Sequence, residues 1–108
     1  MEVKHFVSTS GKDVIIDFIR LLPNKSRLDC ADHIELLENY GFILSSKYIK
    51  KLSNKPKLWE LRIDSKLQIR FIFTVKNDCA ILLHGFIKKT QKIRHKELSL
   101  ASKRIKLI

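Results

Sequence analysis

From Lys57 to Ile87 the chain switches to an alternation with a period of two, the signature of extended strands that bury one face. Trp59, Leu61 and Ile63 alternate with Leu58, Glu60 and Arg62. After Asp64-Ser65-Lys66, which reads as a turn, Leu67, Ile69, Phe71, Phe73 and Val75 alternate with Gln68, Arg70, Ile72 and Thr74. Lys76-Asn77-Asp78 reads as a second turn, into a strand from Cys79 to Ile87. Three strands joined by turns this short form a meander, so the rest of the chain has to cover a sheet.

The N-terminal half supplies the cover. Val3 to Ser8 reads as a short strand. Ser10-Gly-Lys-Asp13 resembles a capping box ahead of Val14, Ile15, Phe18, Leu21 and Leu22 at helical spacing, and Pro23 stops that helix. Ser26-Arg-Leu-Asp29 opens a second helix, with Cys30, Ala31, Ile34 and Leu37 on one stripe and Gly41 at the C-terminal cap. Phe42 to Pro56 reads as a basic loop, because Tyr48 to Leu52 is short for a helix and Ser53 to Pro56 is a turn. Beyond Thr90, Leu98, Ala101, Ile105 and Ile108 mark one stripe of a closing helix. The order strand, helix, helix, strand, strand, strand, helix predicts an α+β fold with a mainly antiparallel sheet. Its helices are expected on one sheet face, leaving the other open. With 108 residues, 1–108 is read as a single domain.

No apolar run approaches the roughly 18 residues that span a bilayer, and the N-terminus carries no signal-like apolar region, so no membrane association and a cytoplasmic location are expected. Cys30 and Cys79 have no C-x-x-C spacing and no flanking histidines at zinc-site distances, so no disulfide framework, metal or cofactor is expected. The net charge of +11 is unevenly placed. Residues 1–48 hold six Lys/Arg against seven Asp/Glu, residues 49–83 eight against three, and residues 84–108 eight against one. A one-sided basic field attracts polyanions, and nucleic acid is the commonest of these.

Pairing Ile63 with Leu67 and Val75 with Cys79 puts all even-numbered side chains of the meander on one face. Glu60 then lies opposite Arg70, Arg62 opposite Gln68, Arg70 opposite His84 and Gln68 opposite Phe86, with Lys88 just beyond the strand. The odd set, Trp59 through Leu83, forms the apolar face. Four potential cations, Arg62, Arg70, His84 and Lys88, repel one another on a shared face unless an anion is bound there. A phosphodiester suits such a site. Arg62 and Arg70 present planar forks to its oxygens, and Lys88 and Lys89 act as point charges or protonate a leaving oxygen. Phe86 offers a stacking surface for a base. His84 reads either as a general acid or base or as a hydrogen-bonded structural residue. With no Asp/Glu cluster to hold a Mg²⁺ pair, phosphodiester chemistry here is expected to be metal-independent, and RNA carries its own nucleophile in the 2′-hydroxyl.

The strings Leu58-Trp-Glu-Leu-Arg62, Leu67-Gln-Ile-Arg-Phe-Ile-Phe73 and Ile81-Leu-Leu-His-Gly-Phe-Ile-Lys-Lys-Thr-Gln-Lys92 closely resemble the phage-derived HigB/RelE-like toxins of bacterial type II toxin-antitoxin modules. The resemblance covers most of the chain with the same element order. It implies a RelE/ParE-type fold and endoribonuclease action on mRNA, commonly on the ribosome. It also implies a helix-turn-helix antitoxin as partner, with operator DNA reached only through that antitoxin. The family's two strand arginines fall on Arg62 and Arg70, and its basic residue after the last strand on Lys88, with Lys89, Gln91 and Lys92 completing the motif. Lys57 is a further expected RNA contact. Where some relatives carry a catalytic tyrosine this chain has Phe86, and where many have a proline before the last helix it has Arg94. Two alternatives accompany this reading. One is a non-nuclease, ParE-like toxin acting on a protein such as gyrase. The other is an inactive remnant that binds RNA or antitoxin.

Overall fold

The three strands predicted from the alternating segment form the centre of a five-stranded sheet. A computed structural model describes residues 1–108. The elements are β1 (Glu2–His5), α1 (Val14–Arg20), α2 (Asn24–Tyr40), a single 3₁₀ turn (Gly41–Ile43), β2 (Ile49–Asn54), β3 (Lys57–Asp64), β4 (Gln68–Lys76), β5 (Cys79–Ile87) and α3 (His95–Ile105). The sheet order is β1-β5-β4-β3-β2, with β1 parallel to β5 and every other pair antiparallel. The α+β class and the expected order are therefore present, with one strand added.

That strand is β2, inside the segment read as a basic loop. Its alternation is masked by a bulge between Lys51 and Ser53, and Lys50 and Lys51 both face solvent. Exposed lysines and a bulge are ordinary features of an edge strand, which must discourage pairing with other chains. The helix boundaries also differ locally. Asp13 itself caps α1, its Oδ1 accepting from the Ile15 and Ile16 amides at 3.0 Å each. Pro23 sits at the cap of α2, so the helix already begins at Asn24, and Ser26 and Asp29 are buried inside it rather than opening it. Gly41 closes α2 as expected, at φ 56°, its amide donating to the Leu37 carbonyl.

The helices occupy both faces of the sheet rather than one. Leu61, Ile63, Ile69, Phe71 and Phe73 pack against Ile15 and Leu22 around α1 and Cys30 and Leu37 of α2. On the opposite face Leu58, Ile72, Leu83 and Phe86 pack against Leu98, Ala101 and Ile105 of α3. The even set contains enough apolar side chains to bury α3, so only the end of that face, around Arg62 and Arg70, stays open. Burial raises the Cys30 thiol to about 12, which leaves it protonated and unreactive.

Both hairpins depart from the expected register, in different ways. Between β3 and β4 the partners slide by two residues, giving Asp64↔Gln68, Arg62↔Arg70 and Glu60↔Ile72. A slide of two preserves each side chain's face and changes only its neighbour. Between β4 and β5, Asn77 and Asp78 form a two-residue loop with φ of 52° and 62°, the left-handed pair of a type I′ turn, so Lys76 faces Cys79 and Val75 faces Ala80. That one-residue slip puts Ala80 and Leu82, rather than Ile81 and Leu83, into the α1/α2 core. Continued, it would also have turned His84 and Phe86 to the wrong side. Leu83 is an extra residue: Phe73 pairs with Leu82, but Ile72 pairs with His84. This bulge restores the parity, so Phe86 lies opposite Arg70, and the Lys88 amide donates to the Gln68 carbonyl at 2.7 Å.

Gly85 lets α1 close onto β5. A methyl group at this position would lie 2.6 Å from Phe18 Cδ2 and 2.8 Å from Phe71 Cε1, inside an edge-to-face ring pair. Gly85→Ala is expected to destabilise the fold by about 1–3 kcal/mol, the range for overpacking a core. Urea denaturation with an unchanged m-value measures it; an unaltered midpoint would show that the Phe18–Phe71 contact yields freely.

Candidate functional site

The open end of the sheet is built by the last residues of β3, the first of β4 and the chain leaving β5. Lys88 bonds to Gln68, so Gln68, Arg70 and their partners Lys88 and Phe86 exchange backbone bonds across β4/β5. Residue pairs on β3/β4 then alternate the other way, and Arg62↔Arg70 is a pair without backbone bonds, the kind whose side chains approach most closely. Two guanidinium groups placed this close need compensating charge.

Glu60 supplies it from below. Its side chain is 2% exposed and lies 3.4 Å from Arg62 Nε and 4.0 Å from Arg70 Nε. Arg70 Nη1 also donates to Asp64 Oδ1 at 2.8 Å and to the Ile69 carbonyl at 2.9 Å. Arg62 Nη1 donates to the Ser46 carbonyl at 3.1 Å. The Arg70 side chain is 3% exposed and that of Arg62 is 27% exposed. In place of an open cluster of mutually repelling cations, the fold holds a largely buried three-charge group, and the repulsion is already relieved by the chain's own carboxylates. The charges meet without ideal geometry, since Glu60 Oε2, Arg62 Nε and Arg70 Nε are all buried with no hydrogen-bond partner.

Above this group runs an open groove lined by Arg62, Asp64, Gln68, Arg70, Lys88, Lys89, Thr90 and Gln91, without one hydrophobic side chain. Of the expected site residues, the fold brings together Arg62, Arg70, Lys88, Lys89 and Gln91. Gln68, expected on this face, joins them, and Asp64 and Thr90 do so without having been expected. Asp64 continues the parity of Glu60 and Arg62, and that is the signal that could have found it; its turn-like neighbours Ser65 and Lys66 hide it. Counting Glu60 beneath the groove, four cations oppose two carboxylates, a net of +2.

The other expected residues lie elsewhere. Lys57 pairs with Asn54 at the far end of β3, five residues or roughly 17 Å of strand from Arg62. Lys92 lines a separate notch behind the Lys88–Thr90 segment. Phe86 is 8% exposed in the α3 core, its ring stacked on His84 at 5.5 Å, so it offers no free ring face to a base on the open sheet. His84 lies largely buried beneath α3, its side chain 13% exposed. Its Nε2 lies 3.1 Å from Glu97 Oε1 and its Nδ1 3.4 Å from Arg104 Nη1, which also donates to the Leu83 carbonyl at 2.8 Å. Of its two sequence readings, the geometry matches the structural one: His84 ties α3 to β5.

Burial lowers the His84 pKa from its ordinary 6.5; the Glu97 carboxylate partly opposes that shift and the Arg104 charge adds to it. A lowered folded-state pKa means the unfolded chain binds the proton more readily, so this contribution to stability is present above pH 6.5 and is lost as pH falls through the folded value. In an NMR titration the His84 ring is expected to titrate below 6.5; a midpoint above it would place the protonated ring, paired with Glu97, in the native state. Glu60→Ala is expected to cost about 3–5 kcal/mol in a denaturant melt, because it strands buried arginine charge. A loss under about 1 kcal/mol, the worth of an exposed pair, would show that Asp64 suffices.

No helix is long and apolar enough to cross a membrane. A family model described as phage derived protein Gp49-like matches residues 17–106, which takes in the second half of α1 and every later helix and strand. No curated protein matches the chain.

Proposed function

The chain belongs to the phage-derived Gp49-like family, and from that premise we propose that it is a RelE-like toxin, of HigB type, of a bacterial type II toxin-antitoxin pair. In this reading it is a metal-independent endoribonuclease that cuts mRNA in the cytoplasm, commonly on the ribosome. A helix-turn-helix antitoxin neutralises it and carries it to operator DNA. The observation that carries the reading is the groove: Arg62, Arg70, Lys88 and Lys89 converge at one sheet end, over a buried carboxylate that offsets the charge of the two arginines.

The chemistry divides by exposure. Arg62 retains exposed surface and meets the phosphate directly, with Lys88 and Lys89 beside it. Arg70, held by Asp64, the Ile69 carbonyl and Glu60, contributes a fixed positive charge at the groove floor. Attack by the 2′-oxygen forms its bond to phosphorus while the bond to the 5′-oxygen breaks, leaving a 2′,3′-cyclic phosphate and a 5′-hydroxyl. Preorganised cations stabilise the added charge of the transition state without reorganising. One proton leaves the 2′-hydroxyl and one reaches the 5′-oxygen. With His84 withdrawn, the proton-exchanging groups lining the groove are Asp64, Lys88 and Lys89.

The withdrawal of His84 beneath α3, away from the groove, favours a second reading, a ParE-like toxin whose basic face engages a protein such as gyrase. Expression in growing cells followed by primer extension on cellular mRNA separates the two. New 5′ ends within translated messages are expected, and in vitro cleavage is expected to persist in EDTA. Arg62→Ala is expected to lower the cleavage rate on the order of 10²- to 10³-fold. Undiminished cleavage by that variant would overturn the site, DNA damage with intact messages would favour the second reading, and unimpeded growth would mark an inactive remnant.

A further inference from the structure

Behind the Lys88–Thr90 segment lies a second concavity that the groove chemistry does not use. β1 accompanies β5 only as far as Leu82, so the outer edge of Gly85–Ile87 has no neighbouring strand. The Lys88 amide points to β4, and alternation along the strand then turns the backbone N–H and C=O of Gly85 and Ile87 outward, to this free edge. A notch of about 250 Å³ occupies the gap between α1 and the start of α3. Its apolar wall comes from Phe18, Phe86, Ile87 and Ile93. Lys92, Arg94 and Lys96, all exposed, supply cations.

We propose that this notch is a nucleobase subsite, which receives the base of the nucleotide next to the phosphate held in the groove. Three features converge on that ligand. The volume lies just below the roughly 300–1,000 Å³ typical of drug-sized pockets, a size for one ring system rather than a peptide side-chain cluster. Aromatic and aliphatic walls beside an unpaired strand edge match a flat heterocycle that carries hydrogen-bond donors and acceptors around its rim, the way unstacked RNA bases are recognised. The notch and the groove also share Lys88, Lys89 and Thr90, so a strand crossing that segment places a phosphate on one side and a base on the other. The inference rests on the RNA-cleaving reading for the identity of the strand, and it moves base recognition from the open sheet face to the edge of β5.

The test is amide NMR of the full chain titrated with the four nucleoside 5′-monophosphates, and with ribose 5-phosphate as the baseless control. Nucleotides are expected to shift the Ile87 amide and to show contacts from base protons to the Phe18 and Phe86 rings, whereas ribose 5-phosphate leaves that amide unmoved. Ile93→Trp, which fills the notch, is expected to weaken this binding by about tenfold or more with its amide spectrum otherwise folded, the loss of one stacked base being worth about 1–3 kcal/mol. Equal shifts from ribose 5-phosphate, no shift at Ile87, or undiminished binding by folded Ile93→Trp would each overturn the subsite. Should Ile93→Trp fail to fold, the ring contacts in the parent protein decide alone. Nucleotide binding in the notch by a protein that cuts no RNA would defeat the cleavage reading and leave the subsite standing.

Discussion

A single extra residue, Leu83, sets the geometry on which the site depends. The type I′ turn at Asn77-Asp78 is the tightest way to join β4 and β5, and it slips the pairing by one residue. Strand side chains alternate strictly, so that slip would carry His84, Phe86 and Lys88 to the face occupied by α1 and α2. The bulge between Phe73 and Ile72 absorbs it. Ahead of the bulge, β5 feeds Ala80 and Leu82 to the first core. Beyond it, Phe86 packs under α3, and Lys88 arrives beside Gln68 and the two arginines.

The second constraint is electrostatic. Arg62 and Arg70 sit directly opposite one another in a sheet, a placement that costs free energy unless a carboxylate lies between or beneath them. Glu60 and Asp64 fill that need from the same strand, two residues to either side of Arg62. Burying such a group carries a desolvation cost that hydrophobic residues would avoid. What the arrangement contributes is rigidity: Arg70 is held by three partners, and Arg62 is left with both a fixed origin and an exposed tip. In the proposed ribonuclease reading, preorganised charge of this type stabilises the added charge of the transition state.

Much of the scaffold was legible because it rests on local periodicity. The three central strands, both N-terminal helices, the Gly41 cap and the apolar stripe of α3 all follow from residue spacing. β2 was not legible, since an edge strand with a bulge and outward lysines has neither alternation nor continuous apolarity. The site was half legible. Parity alone grouped Arg62, Arg70 and Lys88, and an error of two in the β3/β4 register left that grouping intact. Strand parity likewise puts His84 and Phe86 on the open face, where α3 in fact covers them. Nothing in the spacing of Glu97 or Arg104 reveals that they close over His84 from a helix, 13 and 20 residues away.

By itself the sequence determined which side chains of β3 and β4 share a face, where the cations concentrate and which segments form helices, because each of these is fixed by neighbours a few residues apart. The tertiary structure alone decided which face α3 covers, which arginine is exposed and which histidine is largely buried. It also decided that β5 has a bare edge beyond Leu82. Those outcomes depend on burial and on long-range pairing, where the cost of desolvating a charge or leaving a backbone group unpaired is settled only once every element is in place.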